Sequence, residues 1–447
     1  MTKGNPLKLM LQFAFPLLIG NLLQQTYNII DAAIVGQILG AKALASVGAS
    51  SSIQFLVLGF CMGSCTGFGV PIAKYFGAGK LDQMRNYVFN GALLTAGIAV
   101  ILTALCSVFC PQILHMLSVP EDIYDNAYAY LLIIFLGIPF TLLYNYLSSI
   151  LRSLGDSRTP FLFLAFSAIL NIFLDLFCIV VLKWGCAGAA AATITAQAIS
   201  GILCLVFIGR KMNVLHLTKE NRMVNITAVK ELLAMGLPTG LQFSITAIGV
   251  IVVQGAINVY GENYMAGFSA AGKLQNIFST VFVAFGATIA TYVGQNRGAG
   301  KMDRVKQGVR CTQLMILVYS VFAMLILYFL GRYMARLFID ASETQVLGVA
   351  ETYFHTVFWC YPFLGSIFLY RNALQGLGYG LVPMVGGIFE LVARTGIIML
   401  VAGHTSFAGV CLADPAAWIS ALIPLIPYYI YTMRKWEKQR KAQMTAN

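Results

Sequence analysis

The chain has 447 residues, of which 59% are hydrophobic and only 10% charged, with a mean hydropathy of +0.78. Soluble domains carry about 25% charged residues, so a chain this long and apolar cannot cover itself in water. A soluble enzyme, a secreted disulfide scaffold and a disordered protein are excluded. At roughly 20 apolar residues per crossing, the hydrophobic share supplies about twelve membrane helices.

Apolar runs predict spans at 11–38, 50–73, 88–110, 127–150, 160–182, 187–208, 232–258, 267–293, 311–337, 352–374, 381–402 and 407–431. They lack period-2 alternation, and only helices or closed barrels satisfy their backbone in lipid, so they read as helices. The stretch from Met1 to Asn5 lacks a signal-peptide pattern, because the first apolar run continues at full span length.

The net charge of +12 could suggest nucleic acid, but its placement points to topology. The termini and even-numbered loops hold 23 Lys and Arg, among them Lys74, Lys80, Arg85, Arg210, Lys211, Lys219, Arg222, Lys230 and the tail Arg434 to Lys441. The odd-numbered loops hold four, Lys42, Lys183, Arg332 and Arg336, together with acids such as Glu121, Asp122 and Asp340. The positive-inside rule then places both termini in the cytoplasm of a cell-membrane protein. Ten cysteines without a CxxC pair read as free thiols in apolar runs. The four histidines, His115, His216, His355 and His404, form no metal spacing. No GxxxxGK[ST], nucleophile elbow or zinc motif is present, so the chain reads as a non-enzyme driven by an ion gradient, with no cofactor.

The sequence repeats itself. Lys8 through Pro16-Leu17 matches Lys230 through Pro238-Thr239, Gly77-Ala78-Gly79-Lys80 matches Gly298-Ala299-Gly300-Lys301, and Leu154-Gly155 with Pro160 matches Leu377-Gly378 with Pro383. One near-constant offset at three landmarks predicts two parallel six-helix bundles: 1–208 and 232–433, joined by a cytoplasmic linker at 209–231 and followed by a basic tail at 434–447. Parallel repeats favour a transporter with alternating access.

Six charged residues fall inside spans: Asp31, Asp175, Lys273, Glu390, Arg394 and Asp414. Each costs about 2.5–3.5 kcal/mol on insertion scales, so each needs a function or a partner. Asp31 shares a helical face with Tyr27, Asn28 and Gln24, and Asp175 with Asn171 and Ser167. A carboxylate held among amides and hydroxyls in low dielectric can exchange a proton near neutrality; the bland reading is a buried carboxylate that ties helices together. Glu390 and Arg394, spaced i,i+4, read either as a self-neutralising pair or as a substrate-attracting acid with a charge-limiting partner. Lys273 reads as cavity lining or as a snorkelling lysine.

The motifs Pro16, Asn21, Gln24 and Tyr27 leading to Asp31-Ala32-Ala33-Ile34-Val35-Gly36, the Gly77–Lys80 loop, and Gly155-Asp156-Ser157-Arg158-Thr159-Pro160 through Asn171 and Asp175 resemble the MATE (multidrug and toxic compound extrusion) family over nearly the whole chain. The resemblance implies an all-α V of two bundles and cation-driven export of organic cations. It implies a cation-coupling site at Asp31, Asn171 and Asp175, with a proton as the coupling ion and sodium as the alternative. The sodium-coupled branch carries a glutamate eight residues after the proline of the seventh span; Thr246 stands there, which favours protons. Tyr27, Tyr144, Asn145, Gln24, Gln242, Gln254 and Gln375, with Glu390 and Arg394, are the expected cavity residues, suited to flat cations by stacking and cation–π contact. The expected partners are small organic cations, the coupling proton and the bilayer; a monomer that binds no nucleic acid is expected. The rivals are a flippase for a lipid-linked saccharide and, from another class, a membrane-embedded enzyme or receptor. An intramembrane balance of four acids to two bases argues for cationic cargo over the flippase.

Overall fold

A computed structural model describes residues 1–117, 119–401 and 407–446, and every regular element among them is helical. The first half runs α1 (Pro6–Ile34), α2 (Ala41–Gly77), α3 (Leu81–Val108), α4 (Cys110–Met116), α5 (Glu121–Leu136), α6 (Ile138–Ser153), α7 (Arg158–Leu176) and α8 (Gly185–Lys211). The second runs α9 (Ile226–Asn258), α10 (Glu262–Gly298), α11 (Met302–Ala335), α12 (Thr344–Val357), α13 (Tyr361–Gly376), α14 (Leu381–Val401), α15 (Phe407–Cys411) and α16 (Ala413–Ala446). His404 and the end of the eleventh expected span lie outside the described residues.

Ten described helices are long and apolar enough to cross a membrane, and the pair α5–α6, bent by 45°, brings the number to eleven. The expected span 352–374 is the remaining crossing, divided into α12 and α13 by a 3₁₀ turn at Phe358–Cys360. Both breaks have the same cause. Pro139 and Pro362 sit in the first turn of α6 and α13, where a missing N–H and a fixed φ start a helix but cannot continue one.

The repeat is visible in the backbone as well. Gly40 and Gly261 have φ of 89° and 94°, Gly79 and Gly300 72° and 70°, and Gly155 and Gly378 94° and 82°. A left-handed residue closes the same three turns in each half, and only glycine takes it without strain.

Packing divides the chain into two compact units, one of Met1–Ala14 with Leu241–Asn447 and one of Phe15–Gly240. These boundaries differ from the expected 1–208, 209–231 and 232–433. The opening of α1 belongs with the second-half helices, where Met10 is fully buried and Thr312 donates to its sulfur at 3.0 Å. The opening of α9, at 226–240, belongs with the first-half helices. There Glu231 accepts from Lys74 (2.8 Å) and from Tyr87 (2.6 Å), and Gly67 lets the α9 backbone approach so closely that a Cβ would lie 2.6 Å from the Met235 carbonyl. The exchange falls beside Pro16 and Pro238, the repeat-equivalent prolines within the two helices. All ten cysteines are free thiols, eight of them buried, as the sequence implies.

Candidate functional site

In the unit Phe15–Gly240, α1 carries Asp31 and α7 carries Asp175, and the two carboxyls lie close together, within electrostatic reach of each other. A hydrogen bond between two carboxyls needs a proton on one of them. Asp175 is fully buried and Asp31 half-buried. The outer oxygen Oδ1 of each has no further hydrogen-bond partner among the described residues. Asn171, one turn before Asp175, donates to Thr193 Oγ1 of α8 at 3.4 Å; turning its amide over satisfies both ends, donating to Asp175 Oδ2 at 3.3 Å and accepting from the Thr193 amide at 3.2 Å. Tyr27 lies beside Gln24 and within electrostatic reach of both aspartates. Tyr130 of α5, which the sequence did not single out, lies beside Gln54 of α2 and within the same reach. No ion pair reaches Asp31 or Asp175 among the described residues.

The other unit holds a different arrangement. Glu390 Oε1 is bound by Arg371 of α13, and its Oε2 lies 3.7 Å from Arg394 Nη1. Arg394 Nε reaches Asp414 Oδ1 of α16 at 3.2 Å, and Tyr353 of α12 donates to Asp414 Oδ2 at 2.9 Å while also contacting Gln275 of α10. The i,i+4 pair expected from spacing is therefore present, but as the longest link of a buried chain of alternating charge that joins five helices. Gly249 of α9 makes room for the Arg394 guanidinium: a Cβ there would lie 2.8 Å from Nη1.

Arg371 was missed by the sequence reading because it sits at the end of a span and was counted with the loop charges. It is 7% exposed, and it changes the intramembrane balance to four acids and three bases, so the argument from that balance is weaker. Asp414, given no role by the sequence, is a member of the network. Lys273 is exposed, with its ammonium 5.4 Å from the Phe338 ring.

The remaining expected residues are spread over both units. Tyr144 donates to the Pro160 carbonyl at 3.0 Å, and Asn145 to Thr141 O at 2.8 Å. Gln254 bonds its own helix at Asn258 (2.9 Å). Gln375 donates to Gln242 at 3.0 Å, with both side chains buried.

An internally duplicated bundle of long apolar helices, with ionisable residues buried inside each half, defines a multi-pass membrane protein of the transporter class. The MatE family model matches residues 16–177 and 238–400, two stretches offset by the repeat itself. The chain belongs to the MATE family. A probable multidrug resistance protein of Bacillus subtilis (strain 168), YpnP, is 30% identical over 96% of each chain. A protein of Shewanella oneidensis named as a FAD transporter is 24% identical over 86% of this chain and 85% of its own. Among solved structures, an outward-facing multidrug resistance MATE transporter superposes with a TM-score of 0.90 at 20% identity over 97% of both chains. A transporter of the same superfamily from Pyrococcus furiosus gives 0.91 over 98% of both. These structures establish the twelve-helix fold.

Proposed function

We propose that this protein is an antiporter that exports amphipathic organic cations from the cell in exchange for protons, as a monomer with both termini in the cytoplasm. The observation that carries the reading is the adjacent acidic pair Asp31–Asp175, which no basic side chain neutralises among the described residues. An acidic pair in low dielectric can hold a proton or serve as counter-charge to a cation, but not both at full strength. Arrival of a proton removes the counter-charge and releases the drug. Departure of the proton on the opposite side resets the pair, and alternating access keeps the two events apart. In a one-for-one exchange the charge of an exported monovalent cation offsets that of the entering proton, so the pH gradient drives export, with about 1.4 kcal/mol and tenfold accumulation per pH unit.

Asn171 and Thr193 hold Asp175 in place, and Tyr27 with Gln24 offers an aromatic face beside Asp31. Multidrug names among the relatives support the cargo class; the comparisons lend no support to the flippase alternative. Glu390 is a weaker attractor than its position in the sequence suggested, because two arginines already occupy it.

The test is ethidium release from loaded proteoliposomes under an imposed proton gradient, an imposed sodium gradient, or neither. Release driven by protons and lost in Asp31→Asn is expected. Release driven by sodium alone would remove the proton assignment. Transport of FAD, the cargo named for one relative, without transport of ethidium would overturn the cationic cargo.

A further inference from the structure

A cavity of about 930 Å³ opens where the two ends of the chain meet, wholly within the unit of Met1–Ala14 and Leu241–Asn447. Its walls are the opening residues Thr2–Gly4, the turn Gly300–Lys306 into α11, and the last turns of α16 from Met433 to Arg440. Five bases line it, Lys3, Lys301, Arg304, Lys306 and Arg440, against two acids, Asp303 and Glu437. Both acids are already taken: Arg440 binds Asp303 at 2.6 Å, and Lys306 binds Glu437. Lys3, Lys301 and Arg304 remain as three positive charges without a counter-ion among the lining residues.

Two of the three are fixed in place by dipoles that hold a cation without cancelling it. Lys301 donates to the Thr2 carbonyl at 2.9 Å, and Arg304 to Gly4 O at 2.9 Å and Met1 O at 3.3 Å. They also flank the start of α11, which begins at Met302 with no side-chain cap. Basic residues at a helix N-terminus have the wrong sign for its dipole, and an anion there offsets both. Trp436 and Met433 add an apolar wall, and tryptophan favours the depth of the headgroups. The repeat-equivalent of Arg304 in the other half is Gln83, so the surplus of charge is particular to this end of the molecule.

We propose that this pocket binds a phosphate-bearing anion, its phosphate held by Lys3, Lys301 and Arg304 and its less polar part against Trp436. Basic pockets between membrane helices recognise lipid headgroups in this way, and a soluble phosphate ester offers the same chemistry. The occupant ties the first residues of the chain to α11 and α16.

The experiment measures hydrogen exchange over residues 1–10 of the full-length protein in phosphatidylcholine nanodiscs, with phosphatidylglycerol added to the disc or glycerol 3-phosphate added to the buffer. Protection by the lipid alone identifies a headgroup site, and protection by glycerol 3-phosphate identifies a site for soluble phosphate esters. Lys3→Gln/Lys301→Gln should weaken the protecting ligand roughly thirtyfold, from about fivefold per charge. Arg210→Gln/Lys211→Gln, an exposed basic pair elsewhere, should leave it unchanged. If the double variant alters exchange over α11 in phosphatidylcholine alone, Lys3→Gln, whose side chain bonds no described residue, carries the test with roughly a fivefold loss. No protection of the wild type by either ligand, or equal protection in the variants that remove pocket charges, would overturn the proposal.

Discussion

Arg371→Leu is the substitution whose effect follows most directly from the geometry. In the native unit, Arg371, Glu390, Arg394 and Asp414 alternate in sign and sum to zero, with Arg371 and Glu390 both more than 90% buried. Without Arg371, Glu390 keeps only Arg394, and at 3.7 Å that contact is an ion pair without a hydrogen bond. The network then carries a net negative charge where water cannot reach it. Removing one member of a buried pair costs about 3–5 kcal/mol. A unit of this size should accordingly melt roughly 10 °C lower. The assay is thermal unfolding of the detergent-solubilised protein, followed by size-exclusion fluorescence, for Arg371→Leu, Glu390→Leu and the double variant. Replacing both charges restores neutrality, so the double variant should regain most of the loss, in line with buried pairs that can be exchanged for apolar residues. A single variant that melts with the wild type, or a double variant that loses the sum of both singles, would refute this account of Glu390.

Gly67→Val should destabilise the first-half unit by roughly 1–3 kcal/mol, because its Cβ would meet the Met235 carbonyl and the Gly236 Cα at 2.6 and 2.7 Å; Gly48→Ala, with nothing within 4 Å, should leave the melting curve in place. Maleimide labelling of the folded protein read by mass spectrometry should modify only Cys311 and Cys360, the two half-exposed thiols, and all ten after denaturation; rapid labelling of Cys61 or Cys65 would contradict the packing of α2. Asp340 is held below its usual carboxylate range by the Ser342 backbone amide and then by the Ser342 hydroxyl. Its folded pKa is the lower one, so the turn keeps this support above the ordinary carboxylate range and loses it as pH falls through the depressed value; a carboxyl resonance titrating at the unperturbed value would show the turn is absent in solution.

Local patterns carried most of the fold. Apolar runs, helix-breaking prolines and the displaced copy of Gly77–Lys80 each depend on residues close together in sequence, and they located the spans and the repeat. The pairing of Asn171 with Asp175 was also legible, since four residues on one helix fix a shared face. Contacts between helices were less accessible. Arg371 reaches Glu390 across a gap of 19 residues, and Tyr353 meets Asp414 across 61; nothing in either local segment marks the partner. The same limit applies to the expected cavity residues: Gln375 is satisfied by Gln242 and Tyr144 by the Pro160 carbonyl, partners that appear only once the helices are packed. The exchange of 1–14 and 226–240 between units was hidden for a related reason, because helix period does not say which bundle a face is buried against.

The two halves share a support and differ in what it supports. Tyr130 with Gln54 in one unit corresponds through the repeat to Tyr353 with Gln275 in the other; Tyr353 is hydrogen-bonded to Gln275, and Tyr130 lies beside Gln54. Beside the first lie Asp31 and Asp175, with no base. Beside the second lies Asp414, already paired with Arg394. The repeat also sets Ser148, Ser167 and Asn171 against Arg371, Glu390 and Arg394. A protonation step in the second unit would have to break ion pairs held by arginines that do not lose their protons in proteins. In the first it only has to add a proton to, or take one from, two adjacent acids that no ion pair holds among the described residues. If one half of this molecule changes its charge during transport, electrostatics therefore selects the half that contains Asp31 and Asp175. The balanced network of the other half is then suited to staying fixed while it does so, and Arg371→Leu should damage stability before it alters the pH dependence of export.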